Sequence, residues 1–336
     1  MLITKIYKPS EFNEAAKELR LGELVAFPTE TVYGLGADAT NEQAVKRVYL
    51  AKGRPSDNPL IVTVSSLEMV KRFVPSLSKE VEKIIEKFWP GSLTIVLKIK
   101  DGSLSKIVTG GLKTAAFRMP KNETTLNLIT ALGNPIVGPS ANSSGKPSPT
   151  TAQHVYHDLE GRIAGILDDG PTDVGVESTI IDMSTEIPTI LRPGAVTAEE
   201  IEKVIGKEVY SDKHKVKENE IPKAPGMKYK HYAPSAQVLI VNKDNWNSAL
   251  QWANENKNQV GILADDEVLS KALENKTYSL GENVESAAKN LFAGLRYFDD
   301  DNQIKYILAE AFPEEGVGLA YMNRLKKSAG NQFYNK

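Results

Sequence analysis

The stretch VAFPTETVYGLGADATNEQAVKRVYLAKGRPSDNPLIV, from Val25 to Val62, gathers a dense set of side chains able to do chemistry. Lys52 and Arg54 stand close together, Asn58 follows, and Pro55 and Pro59 stiffen the loop that carries them. Rigid cations in front of a strand suit a phosphate. Lys52 followed by Gly53 equally fits a helix end, with the lysine at the negative pole and the glycine as left-handed cap. Thr29, Glu30, Thr31 and Tyr33 crowd the turn after the first strand of this stretch, so donors, acceptors and positive charge converge on what reads as an anionic ligand.

Further along, Arg118 sits in an apolar run with Ala115, Ala116, Phe117 and Met119. A charge there needs a partner, and a structural ion pair or a bound carboxylate satisfies that need equally well. Arg192, before Pro193 and Gly194, is a third candidate phosphate cation. The loop GPSANSSGKPSPT from Gly138 offers Ser140, Asn142, Ser143, Ser144 and Ser148 as neutral hydrogen-bonding groups. It is not a Walker loop, because six residues separate its glycines and Pro147 follows Lys146. The run GLGADA from Gly34 has the loose dinucleotide spacing, yet Pro28 to Tyr33 intervene after the strand, so a flexible turn is the expected role. His154 and His157 share a helix face without a third ligand nearby and read as surface residues, with no metal site.

The elements that position these groups follow from periodicity. A helix capped by Ser10 carries Phe12, Ala15, Ala16 and Leu19 on one face. A strand at 24–27 precedes the polar turn, and a helix capped by Thr40 and Gln43 turns Ala44, Val45, Val48 and Tyr49 inward. Strands are expected at 60–64, 93–99, 114–119, 135–137, 164–167 and 178–181, with a further one ending at Arg192. Helices are expected at 79–88, 123–132 and 151–159. The strand at 93–99 shows alternation, and Trp89 before it reads as core. Consecutive strands without helices around 178–192 require a mixed sheet. Beyond Gly206 the stretch 207–235 is rich in Lys, Glu and Pro and reads as a linker. Strands at 238–241, 260–263 and 306–309, with helices at 245–255, 284–295 and 318–327, then form a Rossmann-like unit lacking the glycine fingerprint. The expected domains are thus 1–206, a linker over 207–235, and 236–336.

Composition narrows the class. The chain has 336 residues, 41% of them hydrophobic, and 41 Lys plus Arg balance 43 Asp plus Glu, so it has no general basic field for a polyanion. It contains no cysteine, which removes thiolate nucleophiles, thiolate metal sites and disulfides together. MLITKIYKPSEF carries no apolar leader core and no later run nears the roughly 18 apolar residues of a spanning helix, so a soluble, cytoplasmic protein is expected.

PTETVYGLG, KGRPSDNPL, FWPGSLT, AAFRMP, GPSANSSGKPSPT, ESTIID and LRPGA, in this order, resemble the YrdC-type threonylcarbamoyl-AMP synthase family. PGMKYKHYAP and the trailing α/β unit resemble its long, two-domain form. The resemblance implies an α/β fold with a YrdC-like twisted mixed sheet and flanking helices, followed by a linker and a smaller Rossmann-like domain. It implies a nucleotidyltransferase that makes threonylcarbamoyladenylate and pyrophosphate from L-threonine, bicarbonate and ATP. Magnesium would ride on the ATP phosphates, and a downstream transferase would move the group to an adenosine beside the anticodon of tRNA. Carried over by motif, Lys52 and Arg54 would be catalytic and would contact ATP with Asn58, Thr114, Ser140, Asn142, Ser148, Arg192, His231 and Tyr232. Thr31, Thr63, Arg118, Gly138 and Ser178 would surround threonine, although the family often has histidine where this chain has Thr63. PGMKYKHYAP would either close over the pocket as a lid or tether the domains. A competing expectation is a module that binds double-stranded RNA or tRNA without turnover, and the charge balance allows only weak RNA binding.

Overall fold

The computed structural model describes residues 2–56, 58–211, 222–224, 232–272, 274–299 and 301–335. The chain divides into two compact units. The first comprises Met1–Ser144, Pro149–Thr172 and Glu177–Lys228, and the second Gly145–Ser148, Asp173–Val176 and Tyr229–Lys336. The division differs from the sequence expectation at the two short stretches that group with the second unit.

The first unit is built on β1 (Lys5–Tyr7), β2 (Val25–Phe27), β3 (Gly34–Asp38), β4 (Ile61–Thr63), β5 (Leu93–Lys98), β6 (Thr114–Arg118), β7 (Ile136–Val137), β8 (Gly165–Leu167), β9 (Thr179–Asp182), β10 (Thr189–Arg192) and β11 (Tyr210–Ser211). They form one sheet in the order β1-β8-β2-β3-β7-β4-β6-β5-β9-β10-β11. The sheet is mixed, as expected: β2 with β3 and β5 with β6 are antiparallel, while β4 with β6 and β5 with β9 are parallel. Helices Phe12–Arg20 and Glu123–Leu132 cover part of one face, where Ala15, Ala16, Leu19, Leu128 and Ile129 pack on Val25, Phe27 and Ile136. Helices Glu42–Lys52, Lys79–Phe88, Ala152–Leu159 and Ala198–Ile205 join the larger core on the other face, around Leu35, Val62, Ile95 and Phe117.

Burial on both faces explains why β5 is buried at every position except Lys98 instead of alternating as expected. Alternation still decides direction. Val62, Ile95, Phe117 and Ile181 belong to the larger core, so Thr63, Thr94, Thr114, Arg118 and Ser178 project from the opposite face. A register shift in β10 between Ile190 and Arg192 pairs Arg192 with Ile180 and brings it to that same face.

Local chemistry corrects several expectations. GLGADA is strand β3, not a turn. Its glycines are needed for close approach: a Cβ at Gly34 would run into the Phe27 ring, and one at Gly36 would lie 2.8 Å from the Val25 carbonyl oxygen. Asn41, not Thr40, caps the next helix by accepting from the Gln43 and Ala44 amides, because the Thr40 hydroxyl is taken by Asp38 at 2.6 Å. Ser10 lies inside a short 3-10 turn, Pro9–Glu11, and caps nothing. The described parts of the expected linker up to Ala224 are built into the first unit, while those from Tyr232 to Ser235 group with the second. Tyr210–Ser211 extends the ladder of β10, and Ala224 is fully buried against Ile61, Val96, Ala116, Ile180 and Leu191.

The second unit holds β12 (Gln237–Val241), β13 (Val260–Ala264), β14 (Lys276–Ser279) and β15 (Tyr306–Glu310), all parallel in the order β12-β15-β13-β14. Helices Trp246–Glu255, Val284–Asp299 and Val317–Ala329 accompany it. The strand at Lys276–Ser279 escapes sequence reading because KTYS is half-buried throughout and lacks an apolar face. Among the described residues no helix is long and apolar enough to cross a membrane.

Glu310 ends β15 and accepts the Asp265 amide at 2.7 Å. Burial, with the charges of Asp265 and Glu267, pushes its carboxyl up to about 7 from an ordinary 4.5. The folded chain therefore holds this proton where the unfolded chain has released it, and Glu310 erodes stability as pH rises from about 4.5 through about 7. Glu310→Gln keeps an acceptor for the amide. It is expected to melt higher than the parent protein at about pH 8 and to show no such gain at about pH 4, as thermal scans across the range would reveal.

Candidate active site

Two groups of polar side chains form in the first unit. The first begins at the end of helix Glu42–Lys52, which stops because Gly53 adopts the left-handed conformation (φ 62°). Lys52 is buried, and its ammonium donates to the Ser140 carbonyl, to the Asn142 carbonyl at 2.6 Å and toward Asn142 Oδ1 at 3.5 Å. The Ser140 hydroxyl donates to Asn142 Oδ1 at 2.6 Å, and the Ser144 amide to the Lys52 carbonyl at 2.8 Å. Lys52 thus fastens the loop after Gly138 to the helix end. Its burial goes beyond a simple complement to the helix dipole.

Arg54, half-buried beside it, donates to the carbonyls of Asn58 at 3.4 Å and Pro59 at 3.2 Å. Tyr49 donates to that same Asn58 carbonyl at 3.0 Å. The Asn58 side chain is 1% exposed, and both its Nδ2 and its Oδ1 are buried without a hydrogen-bond partner among the described residues. A buried amide left unmade is expensive, so this one points to a ligand that completes it. Thr114 belongs beside this group, since the parallel register of β4 and β6, continued from the Ile61–Ala116 pair, leads to Pro59 opposite Thr114.

The second group surrounds Arg118. The guanidinium meets Glu30 Oε2 at 2.7 Å through Nη2, donates to Thr31 Oγ1 at 2.8 Å through Nη1, and to the Gly91 carbonyl at 3.3 Å through Nε. Of the two ways of partnering this charge, the structure contains the ion pair. Thr63 is the register partner of Arg118. Gly138 lies so close that a Cβ there would be 2.5 Å from Thr63 Oγ1 and 2.9 Å from the Phe27 ring. Ser178 Oγ lies 2.7 Å from Thr94 Oγ1, and Arg192 donates to the Ser178 carbonyl through Nε at 3.1 Å and Nη2 at 2.9 Å, and to its hydroxyl at 3.2 Å. The two groups share the loop after β7: the Gly138 amide donates to the Ile61 carbonyl at 2.8 Å, and Ala141 to the Tyr33 carbonyl at 2.8 Å.

The structure therefore brings Lys52, Arg54, Asn58, Ser140 and Asn142 together, and Thr31, Thr63, Arg118, Gly138, Ser178 and Arg192 together. Ser148 and Tyr232 are buried in the second unit. His231, and with it most of PGMKYKHYAP, lies outside the described residues. His154 contacts Thr150, and exposed His157 contacts Asp158. Sequence reading missed the work of Glu30, Ser92 and Thr94, which tie the second group together; the position of Glu30 between two threonines beside a proline was the one available signal.

Residues 17–194 match the family model described as "Telomere recombination" (Sua5, YciO and YrdC), and residues 196–330 match the model for the C-terminal domain of threonylcarbamoyl-AMP synthase. The chain is 48% identical over 323 residues to a threonylcarbamoyl-AMP synthase of Bacillus subtilis, covering 95% of this chain and 93% of the relative. A synthase of the same name from Pyrococcus abyssi is 46% identical, covering 94% and 93%. The crystal structure of P. abyssi Sua5 complexed with L-threonine superposes with a TM-score of 0.90 at 43% identity, covering 98% of both chains. Escherichia coli YciO, at 19% identity and a TM-score of 0.54, shares the fold of the first unit.

Lys52→Met removes the ammonium and leaves the Ser140 and Asn142 carbonyls short of a donor in a buried place. The expected cost is about 1–3 kcal/mol, read as a lower melting temperature, with about 2–4 °C per kcal/mol in a unit of this size. A parent-like melting temperature would mean that water replaces the ammonium at no cost.

Proposed function

The chain belongs to the threonylcarbamoyl-AMP synthase family, and from that premise we propose that it condenses L-threonine, bicarbonate and ATP into L-threonylcarbamoyladenylate, releasing pyrophosphate and water. The observation that carries this reading is the buried, unpartnered Asn58 amide beside Arg54, on the same sheet as an arginine partnered to receive a carboxylate. The first group and Arg192 of the second suit phosphates, the Arg118 end of the second suits an amino acid, and the loop from Gly138 to Asn142 runs between the groups.

In this reaction threonine's amine captures carbon dioxide derived from bicarbonate, and the carbamate oxygen attacks the α-phosphorus of ATP while pyrophosphate leaves. No nucleophile from the chain is needed. The chain supplies orientation, water exclusion and charge opposite the phosphates. Lys52 shapes the loop and places positive charge beside it, Arg54 and Arg192 complement the phosphates, and Asn58, Thr114, Ser140 and Asn142 hydrogen-bond the nucleotide. Arg118 takes the threonine carboxylate with the N–H groups left over from Glu30 and Thr31, while Thr63, Gly138 and Ser178 close the space around the side chain. Ser148, His231 and Tyr232 are assigned to ATP by the motifs alone, as is the lid role of PGMKYKHYAP, from Pro225 to Pro234.

Among the described residues no three acidic or histidine side chains converge as a metal cage. Magnesium would arrive as part of the ATP complex and would neutralise phosphate charge there. The product is a mixed anhydride, so its use calls for a second enzyme that transfers the threonylcarbamoyl group, here to tRNA adenosine beside the anticodon.

Pyrophosphate release that requires threonine, bicarbonate and ATP together is the direct test. Release independent of threonine, or salt-sensitive RNA binding without any release, would replace the proposal. Arg54→Ala and Arg192→Ala are each expected to lower turnover at least tenfold, about 1.4 kcal/mol of transition-state stabilisation. Parent kinetics in either folded variant would remove that residue from the site. Arg118→Ala should raise the threonine requirement far more than the ATP requirement, because a carboxylate loses its cation; equal rises would place Arg118 elsewhere.

A further inference from the structure

Glu30 has no part in the assignments above, yet it is 8% exposed on the turn that carries Thr31. Its Oε1 accepts the Ser92 hydroxyl at 3.0 Å, and its Oε2 accepts the Lys121 amide at 3.2 Å and faces Arg118 Nη2 at 2.7 Å. Burying a carboxylate is costly unless its lone pairs and its charge are both answered. Here the loop before β5, the end of β6 and the chain just past it all answer it. A glutamine could still accept the Lys121 amide through its oxygen and donate to the Ser92 hydroxyl through its nitrogen. What a glutamine lacks is the charge opposite Arg118.

The consequence for Arg118 is geometric. Its Nε–H is directed at Gly91 and one Nη1–H at Thr31, while Nη2 lies 2.7 Å from Glu30 Oε2 as an ion-pair contact and makes no hydrogen bond among the described residues. A guanidinium held by two hydrogen bonds and an ion pair is fixed in place, and the N–H groups of Nη1 and Nη2 not engaged in hydrogen bonds meet a carboxylate in one orientation. We infer that Glu30 is a positioning residue for the amino-acid substrate: it locks the Arg118 fork and balances its charge, so that the carboxylate of an α-amino acid enters a prebuilt donor pair. The inference rests on the proposed reaction, and it predicts a defect confined to the amino-acid side of that reaction.

The experiment uses the full chain with Glu30→Gln, Glu30→Ala and each combined with Arg118→Ala. Threonine affinity is measured by calorimetry without ATP, and pyrophosphate release gives KM for threonine and for ATP. Glu30→Gln, which keeps the shape and can hold both neutral partners with the Ser92 hydrogen bond reversed, should weaken threonine at least about fivefold in both assays and leave the ATP KM within about twofold. In the Arg118→Ala background the Glu30 substitutions should add less than about twofold, because a residue acting through another has nothing left to act on. Unchanged threonine constants in Glu30→Gln would overturn the inference. Tighter threonine binding would also overturn it, by showing that Glu30 competes with substrate for Arg118. A parallel rise in both KM values with a lowered melting temperature would reduce Glu30 to a structural role. Absence of pyrophosphate release from the parent protein would sink the reaction instead, while calorimetry with threonine would still judge Glu30.

Discussion

The guanidinium of Arg118 is the constraint around which the first unit is arranged. A nearly buried cation at the end of a central strand has to be answered, and it is answered by Glu30, Thr31 and Gly91. Those partners come from the turn between β2 and β3 and from the loop before β5. Closing the three contacts fixes both segments against the end of β6. The same Glu30 then holds Ser92 and the Lys121 amide, and Thr179 beside Ser178 donates to the Ser92 carbonyl at 3.1 Å. One ionic requirement thereby extends through hydrogen bonds to β9, beside which Ser178 accepts from Arg192.

The sheet makes this arrangement possible because its two faces are used differently. One face is committed to a continuous apolar core, and the alternate residues of the same strands carry threonines, serine and arginines to the other. Steric closeness sharpens the result. Gly138 lets its loop lie against Thr63 and Phe27, and Gly34 lets β3 cross the Phe27 ring. A methyl group at either position would push the polar loop away from the strands that face it. Lys52 completes the frame from the side by gathering carbonyls of the loop after Gly138 around one ammonium. Among the described residues the Asn58 amide and Arg118 Nη2 are buried within this frame without a hydrogen bond.

The second unit is organised by a different rule. Four parallel strands accompanied by helices leave the strand ends as the places where polar groups gather, and Glu310 is held there against the Asp265 amide with its proton affinity raised by burial.

By itself the sequence determined the elements with strong periodicity and the list of chemical groups. The helices Lys79–Phe88 and Glu123–Leu132 were legible to the residue, because caps and apolar spacing are local signals. The mixed character of the sheet was legible from strands that follow one another without helices. The cations and the small polar residues were legible as an inventory, and the family from their order along the chain. Tertiary structure decided the rest. GLGADA reads locally as a turn, and only the antiparallel pairing with β2 and the crossing of Phe27 make it a strand that needs glycine. Arg118 has two satisfactory partners on paper, and only the folding of the turn at Glu30 onto β6 chose the ion pair. Arg192 faces Ser178 because of a register shift that no spacing in the sequence announces. Periodicity and capping act over a few residues of chain, whereas pairing, register and the answer to a buried charge depend on segments brought together from far apart in it.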